Sequence, residues 1–84
     1  MTMNGNTEST IADRWFQAYG DLYTTGRASQ RQMCRDLGTD RRNFSKLLRD
    51  HSHCILRAEW LAVLVVKYGC SADWLLTGRG WPWG

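Results

Sequence analysis

The 84-residue chain lacks several features that mark particular classes of protein. It has one proline, and its three cysteines, an odd number at wide spacing, do not make a disulfide framework. Its longest apolar run, 60–66, is seven residues long, far short of the roughly 20 that span a membrane. The polar segment 1–10 has neither the basic nor the apolar region of a secretory signal. These absences predict a cytoplasmic protein.

Catalytic patterns are also missing from the sequence. There is no glycine-rich phosphate loop, no nucleophile beside a base and no pair of carboxylates at a useful spacing. His51, His53 and Cys54 cluster in sequence, but a zinc site needs four well-placed ligands and no second ligand pair follows. We therefore expect no enzyme activity, no cofactor and no bound metal.

The charge of the chain is unevenly distributed. Segment 27–49 carries seven basic and two acidic residues, a net charge of +5, whereas the rest of the chain carries −2. A local excess of positive charge on a small domain favours a polyanionic partner, with nucleic acid the first candidate. A solvated helix face accounts for the same charge equally well, so charge alone leaves both interpretations open.

Apolar spacing and capping residues predict an all-α protein of five helices. Oxygen-bearing residues that can cap a helix stand at Ser9 or Thr10, Ser29, Thr39 or Asp40, and Ser71. The helices end near Gly26, Gly38, Gly69 and Gly78, as helices often do at glycine. We predict a flexible tail over 1–8, one domain over 9–80 and an aromatic tail over 81–84.

Several side chains are predicted to form the core. The tryptophans on apolar helical faces are expected to be buried, as are small residues in helix contacts and the apolar residues of the third and fourth helices. These residues are Trp15, Trp60, Trp74, Cys34, Cys70, Phe44, Leu47, Leu48, Leu61, Leu64 and Val65. Trp81 and Trp83 flank Pro82 without any periodicity, so they either cover the core or form a subunit contact.

The segment 30–47 has the order helix, glycine, short turn and helix. Two helices that cross steeply need a small residue at the contact, which Cys34 supplies, and a turn residue of left-handed conformation, which Gly38 supplies. Phe44 and Leu47 anchor the second helix so that its other face points outward. This pattern is typical of a helix-turn-helix unit.

The chain resembles the XRE-like helix-turn-helix domains of phage lambda repressor and Cro proteins. The resemblance covers about 70 residues, from Ile11 to Gly80, and rests on the 30–47 pattern and on the closing stretch YGCSADWLLTG at 68–78. It implies a compact five-helix, lambda-repressor-like DNA-binding domain. The chain departs from the family at Cys34, where alanine is usual, at Phe44, where a β-branched residue is usual, and after the third helix, where a glycine is usual.

The resemblance implies a sequence-specific, double-stranded DNA-binding transcriptional regulator that reads the major groove with helix 40–49. The implied base-contacting residues are Arg41, Arg42, Ser45 and Lys46. The implied phosphate-contacting residues are Arg27, Gln30, Arg31 and Arg49, with Gln30 either touching phosphate or supporting a base-reading side chain. Because one such domain covers about half a turn of groove, we expect a homodimer on a palindromic operator.

Two other functions stay open. One is an antitoxin-like protein-interaction module on the same fold, which exposed Trp81 and Trp83 would favour. The other is a nucleic-acid binder without sequence preference that uses the same basic face.

Overall fold

Five helices make up the part of the chain that the computed structural model describes, residues 10–51 and 56–83. They are α1 (Ile11–Thr24), α2 (Gln30–Leu37), α3 (Arg41–Arg49), α4 (Ala58–Ala62, continued by the π-helical stretch Val63–Lys67) and α5 (Ala72–Thr77). These residues include no β-strand, so the predicted all-α class is confirmed. The predicted tail over 1–8 lies outside the described residues, as do His53 and Cys54.

Four of the five helices begin at a side-chain cap, each at a position that the sequence predicted. Thr10 accepts a hydrogen bond from the Asp13 N–H and donates its own N–H to the Asp13 carboxylate, which forms a capping box at α1. Ser29, Asp40 and Ser71 accept from backbone N–H groups of α2, α3 and α5. Each cap satisfies a donor that the helix itself leaves unpaired.

The turn between α2 and α3 contains only Gly38, Thr39 and Asp40. Gly38 has φ 71° and ψ 29°, the left-handed conformation expected of it. An added Cβ at Gly38 would meet no other atom within 4 Å. Glycine is therefore favoured at this position because of the positive φ, and not because a larger side chain would clash with its neighbours.

The core is built around Trp15 of α1, whose side chain is fully buried. Its indole N–H donates to the Trp60 carbonyl oxygen at 2.9 Å, and its ring contacts Phe16, Phe44 and Trp60. Trp60 and Trp74 are also buried, so the core positions predicted for the three tryptophans are confirmed. Aromatic rings from α1, α3 and α4 thus meet at one place and hold the orientation of α3.

One predicted core position is wrong. Leu48 is 36% exposed, because the buried face of α3 is centred on Phe44. Arg14 is the opposite case, a cation that is buried. Its guanidinium donates to the carbonyl oxygens of Leu75 and Leu76 at 2.8 and 3.1 Å. It thereby satisfies acceptors in the last turn of α5.

The two tryptophans of the C-terminal tail have different environments. Trp83 packs against the core, and its indole N–H donates to the Asp21 carboxylate at 3.1 Å. The Pro82 carbonyl oxygen accepts from the Ser71 N–H at 2.8 Å and ties the tail to the start of α5. Trp81 is 78% exposed. One tryptophan therefore covers the core, and the other is available for a contact with another molecule.

None of the helices in the described residues is both long and apolar enough to cross a membrane. In the same part of the chain, no three histidine, cysteine or acidic side chains form a group that could hold a metal ion. His51 instead contacts acceptors of its own chain: its ring nitrogens lie 3.2 Å from the Leu47 carbonyl oxygen and 3.0 Å from the Asp13 carboxylate.

Candidate nucleic-acid interface

One side of α3 packs on the core and leaves the opposite side in solvent. Phe44 is fully buried and Leu47 is partly buried, and their spacing of three residues places them on one face of the helix. On the other face Arg42, Lys46 and Arg49 recur at steps of four and three residues, and all three are exposed. The packing of α3 therefore directs a row of cations outward.

The side chains of these three cations have no hydrogen bond or ion pair with any residue that the structure describes. Other cations of the chain are held internally: Lys67 Nζ lies 2.6 Å from the Asp36 carboxylate, and Arg14 is buried against α5. A cation without an internal partner keeps its charge and its donors for an external ligand. The positive face of α3 is thus available to an anion.

A hydrogen bond joins Gln30, the first residue of α2, to Ser45 in the middle of α3. Gln30 Nε2 donates to Ser45 Oγ at 2.8 Å, and the bond is partly buried. Because Ser45 Oγ accepts this bond, its own hydrogen remains available to donate elsewhere. The structure therefore brings together a predicted phosphate contact and a predicted base contact in one polar pair.

The start of α3 is fixed by three neighbouring polar side chains. Asp40 Oδ1 accepts from the Asn43 N–H at 2.7 Å, and Asn43 Nδ2 donates to Thr39 Oγ1 at 3.1 Å. These bonds hold Arg41 and Arg42 in the first turn, where both are exposed. The two arginines predicted to contact bases therefore extend from a well-anchored helix end.

Cys34 lies beneath this helix start and is buried, as predicted. Burial raises the pKa of the Cys34 thiol, and the positive charge of Arg41 opposes that shift only in part. Burial likewise raises the pKa of Cys70 to about 11. Thiols with raised pKa values stay protonated at neutral pH and react slowly, which agrees with a packing role for both.

Seven of the eight predicted contact residues lie on α2 and α3. Comparison of the chain with protein-family models, with curated proteins and with solved structures finds no match. Geometry and charge therefore mark α3 as the candidate interface: it is an anchored helix with a face of unpaired cations and a polar pair at its edge.

Arg27, the remaining predicted phosphate contact, has partners within the chain. Its Nη2 donates to the Tyr68 carbonyl oxygen at 3.1 Å, and its guanidinium lies 5.1 Å from the centroid of the Trp83 ring. These contacts hold the α1–α2 loop against the C-terminal tail. Arg31, one residue after Gln30, is exposed and better placed for an external anion. The phosphate contact of Arg27 stays a prediction.

A cavity beside the turn adds one cation that the sequence prediction missed. Its volume is ≈370 Å³, and it lies between Gly38 and Thr39 of the turn, Asn43 of α3 and Arg57 at the start of α4. Arg57 is exposed, and it stands outside the basic segment 27–49, so the charge distribution along the chain did not indicate it. Only the packing of α4 against the turn brings this cation close to α3.

Proposed function

We propose that the chain is a sequence-specific, double-stranded DNA-binding transcriptional regulator of the phage-repressor and Cro type. In this proposal α2, the Gly38 turn and α3 form a helix-turn-helix, and α3 enters the major groove. The protein acts in the cytoplasm by occupying an operator. The proposal requires no enzymatic activity, cofactor or metal.

The observation that carries the proposal is the cationic face of α3. Arg42, Lys46 and Arg49 point away from the core and have no ion-pair partner in the described part of the chain. Lys67, by contrast, is paired with Asp36, so the charges on this face of α3 are available to an external anion. An α-helix fits the width of the major groove. The unpaired cations on such a helix match the negative charge of the DNA phosphates.

The residues have distinct roles in the proposed complex. Arginine and lysine side chains at the start and middle of α3 read guanine O6 and N7, and Ser45 adds a hydrogen bond at its edge. Arg31 and Arg49 bind phosphates and set the position of the domain without reading sequence. Gln30 supports Ser45 through their 2.8 Å hydrogen bond. The proposed base contacts are Arg41, Arg42, Ser45 and Lys46.

A homodimer on a palindromic operator is part of the proposal. One copy of α3 spans about half a turn of groove, which gives few base contacts and weak specificity. Two copies related by a twofold axis double those contacts, and their half-sites are then spaced by one turn of duplex, about 34 Å.

A protein-interaction module is the second candidate function, and the exposure of Trp81 favours it. An unshielded tryptophan is a common anchor in protein–protein contacts. This function predicts little affinity for any duplex. A nucleic-acid binder without sequence preference would use the same face of α3 and would bind all duplexes alike.

Selection from a random duplex library, followed by a salt titration, separates the three functions. A regulator should enrich a palindromic sequence and bind it about 10³-fold or more tightly than random duplex. Its affinity should fall as salt rises, because bound phosphates release counterions. Enrichment of no sequence, with equal affinity for all duplexes, would contradict the proposal, and absence of binding at low salt would favour the interaction module.

A further inference from the structure

The described part of the C-terminal tail, 81–83, is fastened to the rest of the fold by two hydrogen bonds. The Pro82 carbonyl oxygen accepts from the Ser71 N–H at 2.8 Å, at the start of α5. The Trp83 indole N–H donates to the Asp21 carboxylate of α1 at 3.1 Å, and the Trp83 ring packs against the core. Because both the indole and the peptide before it are bonded, the Trp83 ring has a fixed position.

Arg27, in the loop between α1 and α2, lies over this ring. Its guanidinium carbon is 5.1 Å from the centroid of the Trp83 ring, and its Nη2 donates to the Tyr68 carbonyl oxygen at 3.1 Å. A guanidinium that stacks on an aromatic face keeps its N–H groups free at its edge. Arg27 is also exposed and makes no ion pair with any acidic residue that the structure describes. Its charge and its remaining N–H donors are therefore available to an anion.

The loop that carries Arg27 leads directly into the helix-turn-helix segment. Arg27 precedes Gln30 by three residues, so their Cα atoms are at most about 11 Å apart. Gln30 begins α2, and its side chain bonds to Ser45 of α3 at 2.8 Å. In a helix-turn-helix complex the first helix of the unit crosses the DNA backbone. The start of α2, with Arg27 beside it, is therefore where phosphates would be met.

We propose that Trp83 is a positioning residue, which holds Arg27 in place to bind a DNA phosphate. This role rests on the proposed function, because the phosphate belongs to the bound duplex. A free arginine side chain loses rotamer freedom when it binds a ligand, and that loss weakens the affinity. Arg27 is already restrained by the Trp83 ring and the Tyr68 carbonyl oxygen, so it loses less. Since a phosphate carries no sequence information, Trp83 strengthens binding to every duplex alike.

Two substitutions at Trp83 separate the aromatic face from general packing. Trp83→Leu keeps an apolar side chain against the core but removes the ring, whereas Trp83→Phe keeps a ring for Arg27. Fluorescence anisotropy with a labelled random-sequence duplex, over about 50–200 mM salt, measures their affinities. Trp83→Leu should weaken binding by about threefold or more, and Trp83→Phe should retain most of the affinity. Thermal unfolding checks that both variants are folded under the binding conditions.

Variants of Arg27 test whether Trp83 acts through this cation. Arg27→Ala should weaken binding to all duplexes and make the slope of log affinity against log salt less steep by about 1. Adding Trp83→Leu to Arg27→Ala should cause no further loss, because the cation that Trp83 positions is already absent. Trp81→Ala is the matched control, since Trp81 lies in the same tail but is 78% exposed. It should bind the random-sequence duplex like the unmodified chain.

Three results would overturn the positioning role of Trp83. They are binding by Trp83→Leu that equals or exceeds that of the unmodified chain, equal losses in Trp83→Leu and Trp83→Phe, and fully additive losses in the double variant. Each can occur while a palindromic operator is still selected, so the role can fail without the proposed function. Binding that depends on Trp83 but selects no sequence would instead contradict the regulator alone, and absence of binding to any duplex would overturn both.

Discussion

The side-chain amide of Gln30 donates a hydrogen bond to Ser45 Oγ across 2.8 Å, which joins the first residue of α2 to the middle of α3. The bond leaves the Ser45 hydroxyl hydrogen as a donor and Gln30 Oε1 as an acceptor. A donor beside an acceptor complements N7 and the N6 amino group of adenine in the major groove. We therefore expect this pair to favour A·T at one operator position.

The two side chains should be energetically coupled. Gln30→Ala, Ser45→Ala and the double variant, compared by urea unfolding, should give a coupling free energy of about 0.5–1.5 kcal/mol. The coupling arises because either single change already breaks the shared bond. Purely additive losses of stability would mean that the bond contributes nothing in solution.

Arg42 gives the sharpest test of the proposal that α3 reads DNA sequence. Arg42→Ala should weaken binding to the selected operator by about 1–3 kcal/mol and relax the preference at one base pair. Fluorescence anisotropy with the operator and its single-base variants measures both effects. Arg31→Ala should instead weaken binding to all duplexes alike, because phosphate contacts carry no sequence information.

Arg79→Ala is the matched control for the arginine series, since Arg79 is an exposed arginine after α5 and far along the chain from α3. It should leave operator preference unchanged. If the Arg41→Ala and Arg42→Ala variants are folded and both retain full operator affinity, α3 does not read the DNA sequence.

Gly38 should be sensitive to any side chain. Gly38→Val should lower the free energy of unfolding by more than about 1 kcal/mol, because a β-branched residue is a poor occupant of positive φ. Gly20→Ala in α1 is the control: Gly20 lies within a helix, and an added Cβ there meets no atom within 4 Å. That change should stabilise the protein by about 0.5–1 kcal/mol. Thermal unfolding of both variants measures the contrast.

The capping box of α1 should make stability depend on acid pH. The Thr10 hydrogen bonds and the nearby His51 ring lower the pKa of Asp13 despite an opposing effect of burial. Its unfolded pKa is about 3.9, so the ionised Asp13 stabilises the fold above about pH 4. That contribution is lost as pH falls through the lower folded pKa.

Thermal unfolding between about pH 2 and pH 5 tests this dependence. Asp13→Asn should flatten the curve in that range, and Glu59→Gln, at an exposed carboxyl in the first turn of α4, serves as the control. A curve for Asp13→Asn that parallels the unmodified chain would show that Asp13 does not carry the acid dependence.

Local chemistry in the sequence determined the helices and the turn. Ser29 and Asp40 mark the starts of α2 and α3, and Gly38 marks the turn, because a cap or a positive φ depends on residues within one helical turn. Apolar spacing also placed Phe44 and the tryptophans Trp15 and Trp60 in the core. The outward cationic face of α3 follows from that spacing, since a helix that buries Phe44 and Leu47 must expose its opposite side.

Contacts between distant segments were decided only by the tertiary structure. Arg14 bonds to Leu75 across 61 residues, and Trp83 bonds to Asp21 across 62. No periodicity along the chain distinguishes Trp83, which covers the core, from Trp81, which stays exposed. Local pattern specifies which face of a helix turns inward, but the partner of a side chain depends on how the helices pack. That packing is a property of the whole fold, because the core forms only when all the helices meet.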